Sequence, residues 1–212
     1  MELNTFIRYT LLADGTSDEV LLPIINWLID FHCPGARIVP SFARDFGKIG
    51  RGLNARVAAT LANFPCDVLF VHRDAEAMPR EARLDEIAEA MRGVDMPFVP
   101  VVPVRMTEAW LLSDETAIRF AAGNASGRHP IELPTRKKWD ALPDPKEVLL
   151  NALTAASGLS GRKLGKFQPE KARALITQRT ESFAALRGLP AFDAFEKDVA
   201  EIMKGFVPHV MD

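Results

Sequence analysis

The sequence predicts an α/β fold: a mostly parallel sheet of four or slightly more strands, flanked by helices, with a helical C-terminal extension. Two observations predict it. Short apolar runs rich in β-branched residues alternate with segments of three- and four-residue apolar spacing, up to about residue 120. Beyond that point the apolar spacing is helical only. Strand–helix alternation implies right-handed βαβ crossovers and hence a parallel sheet. The expected division is an α/β domain over 1–120 and a loop with helical extension over 121–212, packed on the same domain.

Phe6 to Ala13 reads as a buried strand ending at Asp14-Gly15. Thr16 with Glu19 has the form of a capping box. The helix that follows, to about His32, is apolar on most faces through Val20, Leu21, Ile24, Ile25, Leu28 and Ile29. Ala36 to Phe42 is a second strand, and Arg44 to Gly52 a basic, glycine-containing loop. Leu53, Val57 and Leu61 mark a second helix, to about Phe64. Cys66 to His72 is a third strand, Arg80 to Arg92 a third helix and Pro97 to Val104 a fourth strand. Arg105 to Leu112 begins a helix. Ala121 to Pro143, rich in glycine, proline and basic side chains, reads as a loop or poorly ordered insertion. Helices follow over Pro145–Ser157, Pro169–Thr180 and around Phe192 to Phe206.

Composition narrows the class. Of 212 residues 48% are hydrophobic and 25% charged, as in a globular chain. A net charge of −2 means that any nucleic-acid contact must come from a local basic patch. Cys33 and Cys66 lack metal-ligand spacing and read as small apolar residues. No signal peptide or membrane span is read, so the expected location is cytoplasmic.

Sites in open parallel sheets form at the carboxyl ends of the strands. Asp14 follows the first strand, Asp74 and Glu76 the third, and Glu108 the fourth, while Asp18 lies one helical turn beyond Asp14. Each has a structural reading: Asp14 as a turn residue, Asp18 and Glu19 offsetting a helix dipole, Asp74 and Glu76 capping the third helix. Acids at three separate strand ends point jointly to a metal. Neighbouring carboxylates repel unless a cation neutralises them, and Mg²⁺ takes oxygen ligands while keeping several waters.

The runs Leu12-Ala13-Asp14-Gly15-Thr16-Ser17-Asp18-Glu19 and Val68-Leu69-Phe70-Val71-His72-Arg73-Asp74-Ala75-Glu76 resemble a TOPRIM domain, a Rossmann-like fold. Thr107-Glu108-Ala109-Trp110-Leu111-Leu112-Ser113-Asp114 and Lys146-Glu147-Val148-Leu149 are similar to a bacterial TOPRIM-like family related to the OLD nucleases. The phenylalanine-rich final helix is similar to that family as well. The resemblance implies Mg²⁺ (Mn²⁺ as substitute) on Asp74 and Glu76. It gives Asp14 a metal or acid–base role, with Asp18 and Glu108 as further ligands. It also implies a partner ATPase and a setting in phage defence. Two departures stand out: Asp14 occupies the family's glutamate position, and Glu76 is the second acid of a DxD-type pair.

Arg44, Lys48, Arg51 and Arg56 crowd the glycine-containing loop before the second helix, and Arg44, Lys48 and Arg51 are the expected phosphate contacts. Arg136-Lys137-Lys138 and Arg162-Lys163 with Lys166 are lesser clusters. No Walker A loop, GxSxG elbow or HExxH helix is present. His72 either borders the acids or is buried by strand alternation, and Trp110 reads as core. The expected function is a Mg²⁺-dependent nuclease or related phosphoryl-transfer enzyme acting on nucleic acid. The alternatives are a catalytically inert sensor or regulatory subunit of an ATPase, and a small-molecule phosphatase or nucleotide-binding enzyme.

Overall fold

The computed structural model describes residues 5–44, 46, 50 and 52–206. The alternating apolar runs become four parallel strands among these residues: β1 (Phe6–Leu12), β2 (Arg37–Ala43), β3 (Val68–His72) and β4 (Phe98–Val101). Their spatial order is β2-β1-β3-β4. The crossovers are α1 (Leu21–His32), α2 (Leu53–Asn63) and α3 (Arg80–Ala90). All five residues of β3 are buried, as a strand covered on both faces requires.

Strand alternation sorts the core into two layers. Ile7, Tyr9 and Leu11 of β1 and Phe70 of β3 pack with α1 on one face. Leu12, Leu69 and Val71 pack with Val57 of α2 and Ile87 of α3 on the other. The Tyr9 hydroxyl, carried into the first layer, donates to Asn26 Oδ1 at 2.8 Å, so its burial leaves no orphan polar group.

The later helices are α4 (Glu108–Leu111), α5 (Glu115–Ala121), α6 (Pro145–Ser157), α7 (Gly161–Leu164), α8 (Pro169–Arg173) and α9 (Pro190–Met203). The three- and four-residue apolar spacing of α9 brings Phe192, Phe195, Val199 and Met203 onto the same layer as α1. Trp110 is fully buried, stacked on Phe195 at 6.0 Å and edge-on to Phe192 at 5.4 Å. The extension therefore shares its core with the sheet.

One expected loop holds, one helix was missed and one expected helix is shorter. Residues 122–143 are a loop, the first of the two alternatives read from the sequence. They contain a 3₁₀ turn, Arg136–Ala141, anchored by buried Trp139, whose indole N–H donates to the Pro134 carbonyl at 2.9 Å. Glycine and proline there mark irregular backbone, and one aromatic side chain supplies the packing. The helix α5 lay unseen, although Asp114 caps it by accepting from the Ala117 N–H at 2.9 Å. The helix expected over Pro169–Thr180 stops at Arg173, and turns continue from there. Among the described residues no helix is long and apolar enough to cross a membrane.

Candidate functional site

The strand order fixes where a site can form. From β1 the chain crosses to β2 on one side, and β3 returns on the other, so the direction of winding reverses between β1 and β3. The crevice at the carboxyl ends of two such strands is the usual ligand position in open α/β sheets. Here it is flanked by the segment after Leu12 and by His72 to Glu76.

An inner cluster lies in this crevice around His72, which is 1% exposed. Parity along β3 turns His72 to the same face as Val68 and Phe70, beneath the turn that leads into α1. Its Nδ1 lies 2.9 Å from the Val101 carbonyl oxygen, which fixes the proton on that nitrogen and aims Nε2 at the crevice. Three groups stand before Nε2: Asp74 Oδ1 at 3.5 Å, Asp18 Oδ2 at 3.8 Å and the Thr107 hydroxyl at 3.4 Å. Asp74 is held by the Thr107 N–H at 3.0 Å. Asp18 is held by the Gly15 N–H at 2.9 Å. Asp18, rather than Glu19, thus reaches back to close the helix entry. Glu108 completes the cluster from the first turn of α4, buried and paired with Arg173 of α8.

The electrostatics of this cluster are uneven. Burial pushes the Asp74 carboxyl up to about 6, and the nearby charges of Asp18 and Glu108 add to the rise. His72 and the Thr107 N–H oppose it without cancelling it.

An outer cluster is differently balanced. Asp14 contacts Arg56 Nη1 at 2.8 Å and Arg73 Nε at 2.9 Å, and Arg56 also reaches the Ala13 carbonyl. The Arg73 Nε–H is misaligned for a hydrogen bond, so that contact is an ion pair only. Glu76 turns outward, its side chain 62% exposed and 3.7 Å from Arg83 Nη2. Neither Asp74 nor Glu76 caps α3, whose N-cap is Pro79. The arrangement therefore groups Asp18, Asp74 and Glu108, and leaves Asp14 and Glu76 engaged elsewhere. Among the described residues no group of three or more His, Cys, Asp or Glu side chains is placed to hold a metal ion.

Of the expected phosphate contacts, Arg44 lies 3.6 Å from Glu19, while Lys48 and Arg51 fall outside the described residues. Arg56, the fourth member of that basic cluster, and Arg73 flank the same edge, and Arg73 was not foreseen as a site residue. Arg73 sits inside the run that carries Asp74, and Arg56 lies one helical turn into α2. Arg173 and Glu108 are 65 positions apart, and no local pattern joins them.

Comparison of the chain with protein-family models, with curated proteins and with solved structures finds no match. The functional reading rests on the chain's own residues.

Proposed function

We propose that this chain is a TOPRIM-like, divalent-metal-dependent enzyme of phosphoryl transfer on nucleic acid, most simply a nuclease. The observation that carries this reading is the meeting of Asp18 and Asp74 at one oriented histidine, with Glu108 near Asp74, at the switch point of a parallel sheet.

The donor chemistry fits Mg²⁺ or Mn²⁺. The ligand atoms are carboxylate oxygens, and Mg²⁺ is held by one or two carboxylates with waters and substrate phosphate rather than by a full protein cage. Asp18 and Asp74 supply that minimum, and Glu108 adds a third carboxylate if Arg173 releases it. Bound there, the ion supplies positive charge to the phosphoryl oxygens. The chain's own residues do the remainder. Val101 fixes the His72 ring, so Nε2 can hold or pass a proton between the carboxylates and a reacting oxygen. Thr107 orients Asp74 through its backbone N–H. Arg56 and Arg73 place positive charge at the entrance, where a polyanion arrives.

One observation favours a second reading. Protein cations already occupy the acids: Arg56 and Arg73 on Asp14, Arg173 on Glu108. A charge-neutralised edge of this kind suits an inert regulatory subunit, for which a partner ATPase is the proposed companion. Incubation of the purified chain with labelled single- and double-stranded DNA and RNA in Mn²⁺ decides between them. Cleavage that stops with EDTA and with Asp74→Asn supports the enzyme. A Mn²⁺-dependent rise in melting temperature with every substrate intact supports the inert reading.

A further inference from the structure

A cavity of about 330 Å³ lies beside the inner cluster, between the Thr16–Val20 turn and the end of α8 with the turns that follow it to Gln178. Arg173 and Thr177 line it and are 7% and 2% exposed. Each carries an unsatisfied atom. Arg173 spends Nη1 on Glu108, while its Nε finds no hydrogen-bond partner among the described residues, and neither does Thr177 Oγ1. Both atoms bear a hydrogen to donate, and a buried donor left unpaired is costly. Ser17 and Lys171 bring a hydroxyl and an ammonium to the same walls.

Glu19 and Glu170 also line the cavity, and an anion must coexist with them. Their side chains are 50% and 54% exposed, and each faces its own cation, Arg44 at 3.6 Å and Lys146 at 3.5 Å. Exposed charges so paired are screened by water and salt, whereas Arg173 acts from the protein interior.

We propose that this cavity is a phosphate-binding subsite, with Arg173 and Thr177 as its donors. A phosphate group offers oxygens in several directions, so one group can satisfy the planar guanidinium fork and the hydroxyl together. The volume leaves room for the sugar that carries the phosphate. In assigning the group to a phosphate of the substrate strand, the inference rests on the phosphoryl-transfer reading. The binding of phosphate itself does not. Because Arg173 touches Glu108 as well, a phosphate drawn to its Nε edge competes for the same cation and lends Glu108 a freer carboxylate.

The test uses the full chain, inorganic phosphate as the probe, and melting curves recorded in EDTA. Phosphate in the millimolar range should raise the wild-type melting temperature. Thr177→Val keeps the shape and removes the hydroxyl, and it should weaken phosphate binding about fivefold. Lys171→Ala should weaken it less, with a flatter salt dependence. Arg173→Lys, which keeps charge but loses the fork, should lose tenfold or more. If that variant fails to fold, the other two still decide. Absence of a wild-type response to phosphate overturns the subsite, as does equal affinity in wild type, Thr177→Val and Lys171→Ala. Parallel melts in Mn²⁺ without phosphate separate the two readings. Phosphate binding without a Mn²⁺ response keeps the subsite and removes the metal. A Mn²⁺ response without phosphate binding does the reverse.

Discussion

Asp14 and Asp74 follow neighbouring parallel strands on one sheet edge, yet the fold treats them oppositely. The Asp14 side chain is 43% exposed and meets two guanidinium groups. That of Asp74 is 25% exposed, and its contacts are one imidazole and the neutral donors of Thr107. Water and opposite charge satisfy the first carboxylate; the second is left in a medium that favours its protonated form. Position at a strand end thus brings an acid to the crevice, and what surrounds it there decides whether it is spent on structure or kept for chemistry.

The largest effect expected from breaking this contrast lies at Glu108. Its pair with Arg173 is buried on both sides, with side chains 7% and 9% exposed. Glu108→Ala strands the guanidinium charge and should cost about 3–5 kcal/mol. The same truncation at Asp14, in a solvent-screened setting, should cost about 1 kcal/mol or less. Urea unfolding of both variants measures the difference, and equal costs would erase the distinction between inner and outer clusters.

Asp74→Asn gives the next effect, and its sign depends on pH. The folded carboxyl titrates near 6 rather than 3.8, so the fold binds the proton more tightly than the unfolded chain does. Its stabilising contribution is complete below about pH 4 and is lost as pH rises through about 6. The spread between those values corresponds to at most ~3 kcal/mol. Asparagine keeps an oxygen for the Thr107 N–H and does not titrate. In EDTA the variant should therefore gain on wild type as pH rises from 4 to 7. Mn²⁺ at pH 7 should then raise the wild-type melting temperature by mass action and that of the variant much less. A stability gap that stays flat with pH would show that Asp74 is already satisfied.

These contrasts also mark what the sequence could disclose. The sheet was legible because a parallel strand must be apolar on both faces, and Val68-Leu69-Phe70-Val71 states that directly. The edge that carries the acids followed from strand direction alone. Partnership was not legible. Arg173 meets Glu108 only because α8 folds back against α5 and α6, and no periodicity encodes a contact across 65 residues. Asp14, Asp74 and Glu76 looked equivalent in sequence, since spacing gives position but not burial. His72 was open to two readings, core or site, and it is both: buried by parity, with one ring nitrogen facing the acids.

The smallest effect is expected at Glu76, and it sharpens the comparison most. Glu76 has φ of 54°, the only positive φ among described residues other than glycine. Its backbone N–H donates to the Arg105 carbonyl at 2.8 Å, which holds the turn between β3 and the approach to α4. An L-residue with a long side chain pays roughly 1–2 kcal/mol in that conformation, whereas asparagine adopts it more readily. Glu76→Asn also removes only a 3.7 Å contact to Arg83 from an exposed carboxylate, which is worth little. The variant should therefore be as stable as wild type or more so, by up to about 1 kcal/mol. If Asp18, Asp74 and Glu108 are the metal-facing acids, its Mn²⁺-dependent rise in melting temperature should equal that of wild type. A diminished rise would instead bring Glu76 into the metal site. The strained backbone would then be what aims its carboxylate, and the acidic pair after β3 would act together as the resemblance to TOPRIM domains implies.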